Sequence, residues 1–392
     1  MNNNYDSVEA CITEASTHSQ KQEGTSYTAT KRNWLSFVTV LVTFFCFSQS
    51  NAQVATNSGS GLAPTYATLA QAITALNAAT ITDPVVITLT GNETAPVGGF
   101  NITATGTSTN TITIQGSTSV ITAPAQTSGS LVDAVFKISG GDWITIQNFT
   151  MNERAFTPVA ADRTATTNTM TEFGVALFYA TTTNGAQNCT IQNNTISLDR
   201  TYQNTFGIYS NSTHLNTITS TTATATTTAG GNSGLKVYGN AISNVNLGIV
   251  VVGPTAAADA NTGIDIGGSS SATGNIISNF GTTGTFSGYI NVSGTVNGIL
   301  VRNSNGINIS YNTITSSNGG VTAGTLNGIQ VAASSNAPTA TFTNTITYNT
   351  ISLQSGLATG GINGITYPSG SASATSIANV TNNDFIRLNH SV

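Results

Sequence analysis

The stretch Cys189-Thr-Ile-Gln-Asn-Asn194-Thr-Ile196 carries the pattern on which the fold turns. Apolar and polar residues alternate, an Asn interrupts, and the alternation resumes. The same arrangement precedes it in Ile144-Thr-Ile-Gln-Asn148-Phe-Thr-Met151. It follows in Leu235-Lys-Val-Tyr-Gly-Asn240-Ala-Ile242, Gly274-Asn275-Ile-Ile277 and Ile307-Asn-Ile-Ser-Tyr-Asn312-Thr-Ile314. Thr345-Ile-Thr-Tyr-Asn349-Thr-Ile351 and Val380-Thr-Asn-Asn383-Asp-Phe385 complete the series. The Asn residues at 148, 194, 240, 275, 312, 349 and 383 stand 46, 46, 35, 37, 37 and 34 residues apart. Self-similarity at this period marks a stack of repeated units, and alternation with period two marks the units as strands.

A second motif interleaves with the first. Gly174-Val-Ala-Leu177, Gly207-Ile-Tyr209, Gly248-Ile-Val-Val251, Asn297-Gly-Ile-Leu-Val301, Asn327-Gly-Ile-Gln-Val331 and Asn363-Gly-Ile-Thr366 each precede or follow an Asn strand in strict order. One repeat therefore holds at least two strands and two turns. The reading is all-β: a right-handed, single-stranded parallel β-helix in which each repeat makes one coil. Equivalent strands pair about 4.8 Å apart, and the rest of the coil supplies the long connection that parallel strands need. Ile, Val and Leu are expected inside, with Thr, Gln, Lys and Tyr outside. The repeat Asn is expected at the corner, where it tolerates left-handed backbone angles and where stacked amides can bond from coil to coil.

Composition agrees with order rather than low complexity. Charged residues make up 6% of 392, far below the usual quarter or so, but β-branched residues recur in alternation as they do on pleated surfaces. A net charge of −5 with no basic stripe leaves nothing to neutralise nucleic-acid phosphates.

Lys31 and Arg32 precede an apolar run at 34–47, followed by Ser50-Asn51-Ala52. A positive flank, a short apolar core and small residues before a cleavage point describe a secretory signal peptide. The run is short for a membrane span. Residues 1–52 are thus expected to be a leader, and the mature chain to be bacterial, secreted or on the cell surface, and not membrane-spanning. Cys11 and Cys46 fall in the leader, which leaves Cys189 alone at the start of a strand, expected as a small buried hydrophobe.

Within 53–79, Leu69, Ala72, Ile73 and Leu76 fall on one face of a short helix. A single helix ahead of many strands is expected to cap the apolar interior of the first coil, with the β-helix running over 80–392. The chain closes on Phe385-Ile-Arg-Leu-Asn-His-Ser-Val392 without a capping segment, so a truncated product is expected.

On the stretch Ser139-Gly-Gly-Asp-Trp-Ile-Thr-Ile-Gln-Asn148 and the paired Asn-Gly-Ile and Tyr-Asn-Thr-Ile segments, the chain resembles the pectate-lyase-like β-helix superfamily. It is similar in particular to the parallel β-helix repeats of proteins secreted by Bacteroidetes-type bacteria. The resemblance covers roughly 80–390 and speaks to architecture. The repeat is longer than the usual coil of such proteins, so loops are expected to project at 152–172, 211–233, 253–272 and 282–296.

Carbohydrate-active β-helices like these use clustered acids, or acids with Arg or Lys. Glycoside hydrolysis needs two carboxylates about 5–10 Å apart, and lysis needs a base near an acidic carbon, often beside Ca²⁺. The Gly-His-Gly and paired-Asp patterns of polygalacturonases and the Arg-rich and Asp-His patterns of pectate lyases are absent. What remains is Asp142, Glu153, Arg154, Asp162, Arg163, Glu172, Asp199 and Arg200. Counting from Asn148 and Asn194 places Glu153 over Asp199 and Arg154 over Arg200, either as a solvated ladder of charges or as an acid/base site. Asp259 and Asp265 flank a Gly-containing loop that hints at Ca²⁺, but the repeated Gly-Gly-x-Gly-x-Asp signature is missing and no resident cofactor is expected. His214 and His390 are isolated. Tyr209, Tyr238, Tyr289 and Tyr348 are expected to point outward, where their rings could stack on sugars. The first expectation for function is a non-catalytic β-helix, adhesin-like, glycan-binding or structural, whose partners are polysaccharides or cell-surface glycans. The alternative is a lyase or hydrolase on the same fold.

Overall fold

The computed structural model describes residues 53–163, 166–214, 224–256, 259–281, 295–316, 325–332, 341–355, 360–367 and 376–390. The chain divides into two units, Met1–Asn51 and Ala52–Val392. The expected leader lies outside the described residues, as do Tyr289 and most of the expected loop at 282–296.

The second unit is a parallel β-helix. Three sheets of 11, 9 and 8 strands run along it, and one coil contributes a strand to each in turn. The coil beginning at residue 144 shows the order: Ile144–Gln147 in the first sheet, Thr150–Asn152 in the second, Phe173–Phe178 in the third. Thr190–Gln192 then returns to the first sheet and pairs in parallel with Ile144–Gln147. At the start Val54–Thr56 pairs antiparallel with Thr65–Tyr66 and Val85–Leu89.

Register explains why the repeat reads so clearly. In the first sheet Ile114, Ile146, Ile191, Val237, Ile266, Ile309 and Ile346 stand on one another. In the second, Ile121, Met151, Ile196, Ile242, Ile277, Ile314 and Ile351 do so. In the third, Phe136, Val175, Ile208, Ile249, Ile299 and Ile329 form the matching column. All of them are buried in one continuous core. Burying each such side chain is worth about 1.5–3 kcal/mol, and a one-residue slip would turn a whole column to the other face.

The helix Leu69–Ala78 covers the first coil. Thr68 accepts from Gln71 N at its start, and Leu69, Ala72, Ile73 and Leu76 are buried against the core. Glu93 Oε2 accepts from Leu69 N at 2.8 Å. Asn77 fastens the other end, donating to Asn101 O at 2.8 Å and accepting from Thr103 N at 2.9 Å.

The corner between first and second sheets holds two residues with separate tasks, which corrects the expectation that one Asn does both. The residue ahead of the corner Asn takes the left-handed conformation: Asn148, Asn193, Gly239, Tyr311, Tyr348 and Asn382 have φ between 54° and 62°. The corner Asn itself keeps negative φ and turns its amide inward. Asn194 Nδ2 donates to Asn240 Oδ1 at 3.1 Å, Asn240 to Asn275 at 3.0 Å, and Asn275 to Asn312 at 2.9 Å. Asn312 continues to Asn349 at 3.0 Å and Asn349 to Asn383 at 2.9 Å. Asn148 stands one residue ahead of this ladder, because Thr150 pairs with Thr195 and so Phe149 occupies the Asn194 position. Phe149 N still donates to Asn194 Oδ1 at 3.1 Å, which joins that coil to the ladder.

The glycines of the second motif answer to close approach. A Cβ on Gly298 would lie 2.5 Å from Ile314 Cγ2 and 2.8 Å from Gly328 O. Gly174 and Gly328 meet the equivalent Ile and the next glycine carbonyl in the same way. The third sheet is also buried on its outer face. Phe173, Ala176, Phe178, Phe206, Tyr209, Leu247, Val250, Val252 and Leu300 form a second apolar cluster there, as parallel sheets covered on both sides do.

Candidate functional site

The residues that the spacing singled out gather on the excursion from Asn152 to Phe173 and the next one, 198–205. Glu153, Arg154, Asp162 and Asp199 bond within these segments. Glu153 Oε1 accepts from Arg154 N at 3.1 Å and Oε2 accepts from Thr171 N at 2.9 Å, closing the two ends of the long excursion on each other. Burial raises its carboxyl above the usual range, against these N–H donors. Arg154 lies over the Phe156 ring at 3.7 Å and donates through Nη2 to Thr169 Oγ1 at 2.9 Å. Thr169 in turn donates to Asp162 Oδ1 at 3.0 Å, and Asp162 Oδ2 accepts from Val159 N at 2.9 Å.

Asp199 Oδ1 accepts from Thr201 N at 2.8 Å, a turn-forming contact of the Asx kind. Arg200 is half-buried, and its Nη1 meets no hydrogen-bond partner in the protein. The expected stacking of Glu153 on Asp199 is off by one residue. Asn152 pairs with Ser197, so counting on puts Leu198 opposite Glu153. Among the described residues no hydrogen bond or ion pair joins Glu153 or Arg154 to Asp199 or Arg200. Asp142 is likewise engaged, accepting from Gln187 N at 2.7 Å.

Glu172 differs from these, and it belongs with residues that no motif marked. Its carboxylate is fully buried beside Asp133, on the coil before it. Asp133 N donates to Glu172 Oε2 at 3.1 Å, and Glu172 N donates to Asp133 O at 3.1 Å. Tyr202 is buried nearby, and Asn204 Nδ2 donates to its hydroxyl at 3.4 Å. Burial, reinforced by the Asp133 charge, holds the Glu172 carboxyl well above the usual range. Burial also raises Asp133, against the Ser130 hydroxyl and the Lys137 charge. Lys137 Nζ donates to Val132 O at 3.2 Å. Asp133, Lys137 and Tyr202 lie far from Glu172 in sequence, and only the coil register unites them.

The tyrosines take three different places. Tyr209 is buried in the outer cluster, 4.7 Å from the Phe173 ring centroid, with its hydroxyl 3.0 Å from His214 Nδ1. This corrects the outward reading: the side chain does leave the coil, but the third sheet is covered there. Burial pushes His214 down to about 3, so it stays neutral. Tyr238 donates to Asp265 Oδ2 at 2.6 Å. Tyr348 is half exposed and stacks on Tyr311 at 4.9 Å between centroids and 11° between planes.

Asp265 holds a turn. Besides Tyr238 it accepts from Gly268 N at 3.1 Å and Asn308 Nδ2 at 2.8 Å through Oδ1. Asp259 lies in the preceding segment, its N–H donating to Ala256 O at 3.1 Å. Among the described residues no three His, Cys, Asp or Glu side chains come together as a metal site. Cys189 is buried, donates to Gly141 O at 3.3 Å, and is pushed up to about 12 by burial. Its peptide is therefore expected to remain unlabelled when the native protein is treated with iodoacetamide near neutral pH, and to label after denaturation, as peptide mass spectrometry would show.

The outward rows of the first sheet are hydroxyl and amide over three coils and then continue into Lys236, Tyr238 and Asp265. Thr113, Thr145 and Thr190 share one outward row, and Gln115, Gln147 and Gln192 share the next. Gln147 Nε2 donates to Gln115 Oε1 at 2.8 Å and Gln192 to Gln147 at 2.6 Å. On the second sheet Thr150, Thr195, Ala241, the exposed Ile276, Thr313 and Thr350 occupy one outward row.

No family model and no curated protein matches the chain. Among solved structures it is similar to an alginate lyase from Paenibacillus sp. str. FPU-7, at 17% identity and a TM-score of 0.34, over 79% of this chain and 97% of that one. It is also similar to the A-module of the Azotobacter vinelandii mannuronan C-5 epimerase AlgE6, at 11% identity and a TM-score of 0.18, over 81% of this chain and 94% of that one. Neither likeness is close enough to carry an argument about activity.

Proposed function

We propose that the chain is a bacterial β-helix, secreted or displayed at the cell surface, that works without catalysis as a glycan-binding or structural scaffold. The observation behind this reading is the uncharged patch of threonine and glutamine rows over three coils of the first sheet, Thr113, Thr145 and Thr190 beside Gln115, Gln147 and Gln192. Across that patch hydroxyl and amide groups repeat from coil to coil about 4.8 Å apart. Such a face exchanges hydrogen bonds with sugar hydroxyls and has no charge to select an acidic polymer. Glu153, Arg154 and Asp199 make hydrogen bonds that fold the excursions on themselves.

The full chain should be retarded in gels containing neutral polysaccharides, and high salt should leave the retardation in place because no ion pairs contribute. Gln147→Lys, which breaks the amide row and adds charge, should weaken it several-fold. Retardation confined to acidic polymers and abolished by salt would count against this reading, as would none at all.

A further inference from the structure

We propose that His214 is an acid-operated latch: the neutral ring pins the turn 211–214 to the aromatic cluster outside the third sheet, and protonation frees that turn and uncovers Phe173, Phe206 and Tyr209. The proposal is independent of the glycan reading. It starts from a buried histidine walled by aromatic rings. The His214 ring lies 5.4 Å from Phe173, 5.2 Å from Phe206 and 5.1 Å from Tyr209 between centroids, with interplanar angles of 87°, 76° and 87°. Those three residues are fully buried in the outer cluster.

One polar contact orients the ring. Asn211 Nδ2 donates to the Tyr209 hydroxyl at 2.9 Å, and that hydroxyl donates to Thr213 O at 3.4 Å. This leaves the hydroxyl oxygen a lone pair for His214 Nδ1, 3.0 Å away, and so assigns the neutral ring's proton to Nδ1. Nε2 is buried and meets no hydrogen-bond partner in the protein. In the neutral ring it is a bare lone pair. In an imidazolium it becomes a charged N–H facing apolar walls, which is far costlier. The surrounding elements offer that charge no partner. The strand Phe206–Asn211 presents Tyr209, the strand Phe173–Phe178 presents Phe173, and Tyr179 just beyond it is held neutral by burial. Lys137, itself a cation, stands in one outward row with Ala176 and Tyr209 and donates to Val132 O. Glu172, ahead of Phe173, accepts from Asp133 N.

Burial lowers His214 from 6.5 to about 3 while the turn is closed, so the open form binds more protons between those values. The contribution of the latch is fully present above the open-form value and is lost as pH falls through the range towards the closed-form one. Over that range the ratio of open to closed turn rises by up to about tenfold per pH unit.

Hydrogen exchange of the full chain would be followed by mass spectrometry at about pH 7 and pH 5, in peptides covering 206–214 and, for reference, 144–152. His214→Asn keeps a polar group near the Nδ1 position without ionising, and His214→Phe keeps a ring without ionising. Comparing wild type with each variant at the same pH removes the intrinsic pH dependence of exchange. Between the two pH values, wild type should lose protection in 206–214 by up to about thirtyfold more than either variant, while 144–152 stays protected. Equal changes in wild type and both variants would overturn the latch. So would loss of protection in 144–152 together with 206–214, since the whole chain would then be unfolding. Stronger protection of wild type in acid would overturn it too, because the rings would then be holding the imidazolium as a cation.

Discussion

Asn240→Ala is expected to destabilise the protein by about 4 kcal/mol, since it strands several buried polar groups at once. The Asn240 side chain donates to Ile191 O at 2.9 Å and Asn275 Oδ1 at 3.0 Å. It accepts from Asn194 N at 3.0 Å and Asn194 Nδ2 at 3.1 Å. Alanine leaves Asn194 N and one Asn194 amide hydrogen without their acceptor and takes a donor from Ile191 O and from Asn275 Oδ1, the last of which keeps Asn240 N, inside a corner where water does not reach. The informative control is Asn148→Ala. Asn148 is exposed and its φ is 62°, so that change should cost only about 1 kcal/mol for the left-handed backbone. Denaturant unfolding followed by circular dichroism would give both values. Equal costs would mean that the amide ladder contributes nothing beyond turn geometry.

Gly298→Ala is expected to cost about 3 kcal/mol, at the upper end for overpacking. The added methyl would meet Ile314 Cγ2 at 2.5 Å and the Gly328 carbonyl oxygen at 2.8 Å. Neither can retreat: Ile314 is buried between Ile277 and Ile351, and the carbonyl belongs to a paired strand. Gly306 makes the contrast, because its φ of +63° is left-handed but nothing lies within 4 Å of a Cβ there. Gly306→Ala should therefore cost about 1 kcal/mol. Ile314→Ala combined with Gly298→Ala should cost less than the sum of the two, as neighbours sharing one space do. Strict additivity would show that the third sheet does not press on the Ile column.

Much of the fold was legible because the repeat is written in residues that only one geometry explains. Alternation gave the strands, Leu69, Ala72, Ile73 and Leu76 gave the covering helix, and the Gly-Ile pairs marked the crossing of the third sheet over the Ile column. The corner was legible only to within a residue. Asn193 and Asn194 are both Asn, one for backbone angle and one for the ladder, and aligning Asn148 with the second shifted every count made from it. That shift is why Glu153 was matched with Asp199. Tyr209 was misplaced for a different reason: alternation tells which side of a strand a residue takes, but not whether loops from elsewhere cover that side. The Asp133 and Glu172 pair was legible in neither way. The two are 39 residues apart, and their meeting depends on the register of two excursions of unequal length.

The scaffold reading is tested most directly by product release. The full chain would be incubated with a panel of neutral and acidic polysaccharides, with and without Ca²⁺, and the supernatants assayed for new reducing ends and unsaturated sugars. The expected result is retention on neutral polymer with no product above the level of a denatured control. Release of either product, lost in Glu153→Gln or Arg200→Ala, would contradict the account and make those side chains catalytic.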